Sequence, residues 1–91
     1  MSVKREEYLQ KIKEERIRQF NLPGVEYDLK NGPSDWSAII GHYIYREVFR
    51  AGHKPNSLEF EDGLIKASAV ILAALENIEN MKAKNQFDDG V

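Results

Sequence analysis

Three stretches of the chain carry apolar residues at helical spacing. The first predicts a helix over Val3–Phe20. Its apolar positions are sparse: Tyr8, Leu9, Ile12, Ile17 and Phe20. Between them stand Glu6, Glu7, Glu14 and Glu15 with Lys11, Lys13, Arg16 and Arg18. Glu7 and Lys11 are four residues apart, a spacing that supports an exposed helix. Pro23-Gly24 breaks this helix. Residues 21–33 also contain Asn31, Gly32 and Pro33 and read as a loop, long enough to suggest a functional or mobile segment.

The second pattern predicts a helix over Asp35–Ala51. Ser34 can cap its first free N–H groups, and Asp35 suits the positive end of the helix dipole. Trp36, Ile40, Tyr43 and Glu47 fall on one face, and Ile39, Ile44, Val48 and Phe49 widen the apolar surface. Gly52 is the expected stop. After a short loop, Asn56 with Glu59 three residues on resembles a capping box, and a third helix is predicted over Leu58–Lys82. Its main stripe is Leu64, Ala67, Ile71, Ala74, Leu75, Ile78 and Met81, with a second face at Ile65, Ala69 and Leu72.

Helices apolar around so much of their circumference need partners on more than one side. Three helices in one small chain hardly provide them, so the pattern predicts a homo-oligomer built on the second and third helices. Ala67, Ser68, Ala69, Ala73 and Ala74 would allow close helix approach there. The reading is all-α: one helical domain over residues 1–84, then a polar, flexible tail over 85–91.

Composition sharpens this picture. A chain of 91 residues buries only about 60–65 % of its unfolded surface, which leaves a monomer marginally stable. There are no cysteines to supply disulfides or thiolate metal ligands, so oligomerisation is the remaining source of stability. The net charge of −2 gives no general argument for binding a nucleic acid polymer. No signal-like apolar run opens the sequence, and Ala67–Leu75 is far short of the about 20 residues that span a bilayer. A cytoplasmic location without membrane attachment is expected.

Several side chains can bind a ligand. Trp36 and Tyr43 can stack a base, or pack against another helix. Arg46 can fork onto a phosphate and Lys66 can act as a point charge, or both can extend to solvent. Arg50, His53 and Lys54 form a basic cluster that can hold an anion or complement a helix C-terminus. His42 stands alone among apolar neighbours and reads as a packed residue. The sequence offers no nucleophile–base arrangement and no phosphate-binding glycine loop.

A family resemblance rests on three blocks. Asp35-Trp36-x-Ala38-x-Ile40-x-x-Tyr43-x-x-Arg46 resembles a segment of small phage-encoded MazG-like proteins. Phe60-x-x-x-Leu64-Ile65-Lys66-Ala67-x-Ala69-x-x-x-Ala73-Ala74-x-Glu76 resembles their second block, and Glu15-Arg16-x-Arg18-Gln19 their opening. The resemblance implies a three-helix MazG-like unit assembling into a helical homo-oligomer. It also implies nucleotide handling, with Mg²⁺ held by Glu-Glu-x-x-Glu and Glu-x-x-Asp motifs on neighbouring helices. Carboxylates at such spacing share a helix face and can hold a hard cation. This chain departs from the pattern. It has Glu59-x-x-Asp62 but no Glu-Glu-x-x-Glu on the second helix, where Asp35 and Glu47 are far apart.

Three functions follow as expectations. The first is a non-catalytic protein that binds a nucleotide or cyclic nucleotide between subunits through Trp36, Tyr43, Arg46, Arg50 and Lys66, without cofactor. In a phage setting it would sequester a nucleotide second messenger of host defence. The second is a Mg²⁺-dependent nucleoside triphosphate pyrophosphohydrolase. Glu59 and Asp62 would then be metal ligands, with further acids from Glu14, Glu15, Glu47 or a second subunit. The third is a helical protein–protein interaction module without a small ligand.

Overall fold

A computed structural model describes residues 3–49 and 52–89. It is all-helical, with no strand among the described residues. Among the described residues four α-helices follow in order: α1 (Val3–Phe20), α2 (Pro33–Tyr43), α3 (Ser57–Glu76) and α4 (Ile78–Ala83). A 3₁₀ turn over Val25–Leu29 precedes α2, and a π turn over Ile44–Val48 follows it.

The first helix has the bounds its pattern predicts. The loop after it is more structured than its Pro/Gly content suggests. Gly24 takes a left-handed φ of 96°, a turn geometry that costs glycine little, and starts the 3₁₀ turn. Nδ2 of Asn80 then donates to the Leu29 carbonyl at 2.9 Å, and Nζ of Lys84 donates to the same oxygen. The end of the chain thereby ties down the middle of the loop.

The second helix starts earlier and ends sooner than predicted. Gly32, not Ser34, is its N-cap, and Pro33 occupies the first turn, where a missing N–H costs nothing. Asp35 reaches back to accept from the Gly32 N–H at 2.9 Å. The α-helical ladder gives way at Ile44, and the Phe49 N–H donates to the Ile44 carbonyl at 2.7 Å across five residues. Each such bond spans one residue more than in an α-helix, so Glu47 leaves the face that Trp36, Ile40 and Tyr43 define.

The third helix starts as its cap predicts. Asn56 Oδ1 accepts from the Glu59 N–H at 2.8 Å, and Glu59 reaches back toward the Asn56 N–H. The continuous run to Lys82 is broken at Asn77, which separates α3 from α4. Asn77 is buried, and its side chain donates to the Ala73 carbonyl at 2.8 Å. A side-chain amide that competes for a helix carbonyl favours termination there.

The core is small and lies where α2, α3 and α4 meet. Trp36, Val70, Ala73 and Met81 are buried together, with Ile39, Ile40, Tyr43, Ala74 and Ile78 packed against them. Ala67, Ala69 and Gly63 are also buried, so these small residues of α3 allow close approach within the chain. At Gly63 the approach is tightest: a Cβ there would lie 2.7 Å from the Glu47 carbonyl oxygen of the π turn. By contrast, Leu64, Ile71 and Leu75 of the predicted stripe are exposed. No helix among the described residues is long and apolar enough to cross a membrane.

Candidate functional site

The helices enclose a cleft of about 180 Å³ between α1, the loop after it, α2 and α3. Arg16 and Gln19 line it from α1, and Pro23, Gly24 and Asp28 from the loop. Trp36, Ile39 and Tyr43 come from α2, and Val70 and Ala73 form the α3 wall. Helical spacing delivers each group: Arg16 and Gln19 are three apart, and Trp36, Ile39 and Tyr43 recur at three and four residues.

The cleft is electrostatically poised. Arg16 is held by Glu76, with Nε–Oε1 at 2.9 Å, and its guanidinium lies over the Phe20 ring. Burial pushes the Asp28 carboxyl above the usual carboxylate range; the Arg16 charge opposes that shift and Glu76 adds to it. Trp36 is only 4 % exposed, and its indole Nε1 is buried without a hydrogen-bond partner. A buried donor left unpaired costs about 1–3 kcal/mol, so Trp36 is held here by its packing.

Gln19 links this cleft to a second polar group. Its Nε2 donates to Glu15 at 2.9 Å and to the Lys66 carbonyl at 3.3 Å. Glu15 also accepts two bonds from Arg18, at 2.8 and 2.6 Å, which hold its carboxyl below the usual range. The Lys66 ammonium pairs with Asp62 at 3.0 Å. That bond, with the negative fields of Asp62, Glu47 and Glu15, holds Lys66 above the ordinary lysine value against the opposing effect of burial.

The predicted binding residues therefore divide. Trp36 and Tyr43 come together in the cleft, but the indole is a core residue with its faces packed. Arg46 is exposed on the π turn, and neither Arg46 nor Lys66 lines the cleft. Arg50 lies outside the described residues. His53 sits 3.3 Å from Glu59, and His42 is exposed beside Tyr43 rather than packed inside.

The carboxylates that the resemblance assigns to Mg²⁺ do not assemble as a ligand set within one chain. Glu59 serves the α3 cap and faces His53, while Asp62 is taken by Lys66. No group of three His, Asp or Glu side chains among the described residues is placed to hold a metal ion. Near Lys66, the positive charge amid Glu15, Glu47 and Asp62 is an ammonium from the chain itself.

Sequence reasoning missed Arg16, Gln19 and Asp28 as cleft residues. Arg16 and Gln19 belong to the opening block, so that block was the available signal; Asp28 lies in the loop whose length suggested function. Comparison with protein-family models, with curated proteins and with solved structures found no match to this chain.

Proposed function

We propose that this chain is a subunit of a helical homo-oligomer that binds a nucleotide without turning it over. The observation that carries the reading is spatial. All three blocks that resemble MazG-like proteins contribute to one cleft: Arg16 and Gln19 from the first, Trp36 and Tyr43 from the second, Val70 and Ala73 from the third. Trp36, Val70 and Ala73 are there as core residues, and Arg16, Gln19 and Asp28 are the polar groups that the cleft adds beside them. Arg16 supplies the cation for a phosphate, which takes the place of the Glu76 carboxylate that Arg16 holds, and the Asp28 carboxyl can exchange hydrogen bonds with the edge of a base. The cavity matches a base or a phosphate group, whereas sites for whole small ligands run from about 300 Å³. The rest of the nucleotide then lies against Arg46 or a second subunit. In the phage setting of the resemblance, the ligand is a signal nucleotide of host defence, removed by sequestration.

The non-catalytic choice follows from the acids. Two-carboxylate pairs do not hold Mg²⁺ unless they converge, and here Glu59 and Asp62 each have a structural partner. If a second subunit completes the set, the protein is a pyrophosphohydrolase, and Glu47→Ala and Asp62→Ala each abolish turnover.

Trp36 is the sole tryptophan of the chain and lines the cleft, so its fluorescence reports occupancy directly. Titration with nucleoside triphosphates and cyclic nucleotides should change the emission saturably for at least one ligand. Arg16→Ala should weaken that ligand at least about tenfold, the scale of a lost charge-assisted bond. A flat titration for every nucleotide contradicts the reading and leaves the interaction module.

A further inference from the structure

A second, apolar groove adjoins the cleft between α1 and α3 and is open to solvent. Leu9 and Ile17 of α1 and Ile71 and Leu75 of α3 form its floor and walls, with Ile12 and Leu72 half-buried between them. Leu9 is 49 % exposed, Ile17 62 % and Leu75 58 %. The subunit exposes 6831 Å² in all. A monomeric protein of 10.5 kDa exposes about 5400 Å² by the usual mass scaling, so the excess is roughly 1400 Å². A standard stable interface removes about 800 Å² from each partner; the excess is summed over the whole surface, and Leu9, Ile17, Ile71 and Leu75 are the groove's part of it.

The rim of the groove identifies the occupant. Glu6 and Lys13 stand two helical turns apart on the same face of α1, with Leu9 and Gln10 between them. The rim is acidic at its N-terminal end and basic at the other. A surface with that polarity is complementary to itself when turned end for end. A two-fold axis at the level of Leu9 and Gln10 brings Glu6 opposite the partner's Lys13, and Lys13 opposite the partner's Glu6. Arg16 is already satisfied by Glu76 and does not compete. An isologous contact needs this reciprocity.

We infer that the α1–α3 groove is the interface of an antiparallel dimer of this chain, sealed by Leu9, Ile17, Ile71 and Leu75 and registered by reciprocal Glu6–Lys13 pairs. This deepens the self-association proposed above and moves it from the α2 face, whose Trp36, Ile39, Ile40 and Tyr43 are taken up inside the subunit. Because Arg16 lines both the groove and the nucleotide cleft, the dimer also fixes one wall of that cleft.

Light scattering on a sizing column tests the interface. The unaltered chain should elute at about 21 kDa, twice the subunit mass. Leu75→Asp should elute as a monomer with its helical circular dichroism retained, since Leu75 contributes little to the subunit's own core. Glu6→Lys should raise the dissociation constant about tenfold by setting like charges opposite one another, an effect that salt reduces. Lys13→Glu combined with Glu6→Lys should restore dimerisation. A monomeric unaltered chain overturns self-association altogether. A dimer that persists in Leu75→Asp places assembly on another face and overturns this interface alone. Failure of the double reversal to rescue overturns the antiparallel register.

Discussion

At the scale of single residues, Trp36 carries two roles that the sequence could not separate. Its helical position marks it equally as core and as a stacking surface, and the structure buries it with Val70, Ala73 and Met81 in the core while it also lines the cleft. Trp36→Ala should therefore cost about 3–5 kcal/mol in urea unfolding, most of the stability of so small a core. A loss below about 1 kcal/mol would show that the indole is a ligand platform rather than packing. Asp28 gives a second test. Its folded pKa is raised, so the folded state takes up the proton more readily than the unfolded chain. Stability at Asp28 is thus gained as the pH falls through the folded pKa and lost as it rises. Asp28→Asn should melt higher than the unaltered chain at neutral pH and equal to it at about pH 3. A lower melting temperature at neutral pH would mean that the charged carboxylate stabilises the loop. What no periodicity shows is that Asp28 faces Arg16, since the 3₁₀ turn that brings it there depends on Gly24 and on bonds from Asn80 and Lys84, some fifty residues away.

At the scale of elements, local caps and spacings were legible and stops set by tertiary packing were not. The Asn56–Glu59 cap and the polar–apolar spacing of 3–20 are local signals, and both elements begin as the residues dictate. The ends of α2 and α3 depend on tertiary packing. The π turn lets the Glu47 backbone sit directly on Gly63, and Asn77 stops α3 by turning its amide to Ala73. Gly63→Ala should force that contact apart and destabilise the protein by about 1–3 kcal/mol, measured by thermal or urea unfolding. An unchanged stability would mean that the π turn shifts freely. The end of α4 holds a further device. Asn85 has φ 58°, the Asn85 N–H donates to Lys82, and the Gln86 N–H donates to Met81, the paired bonds of a Schellman cap. Asn85→Gly should leave stability equal or higher, and Asn85→Ala should lower it by about 1 kcal/mol. Equal effects from both would remove the cap from the account.

At the scale of the whole molecule, the all-α class was legible because helical periodicity is a local property that survives any arrangement of the helices. The surplus of apolar faces on the second and third helical stretches was legible too, and it reappears as exposed Phe49, Leu64, Ile71 and Leu75, whereas exposed Leu9 and Ile17 lie on α1, whose apolar positions are sparse. Which faces would be spent inside the subunit was not legible. Alanine and glycine on α3 let α2 approach closely, and this choice, made by size rather than hydrophobicity, leaves the larger side chains outside. The same packing gathers Arg16, Asp28, Trp36 and Tyr43 into the cleft on which the functional account rests. The most direct test is to mix the protein with Mg²⁺ and a panel of nucleoside triphosphates and of cyclic and ADP-ribose-type nucleotides. The mixture is filtered, the retained protein denatured by heat, and both fractions chromatographed. The account predicts one ligand depleted from the filtrate and released intact from the protein. A monophosphate with pyrophosphate would contradict binding without turnover, and an undepleted panel would contradict nucleotide binding itself.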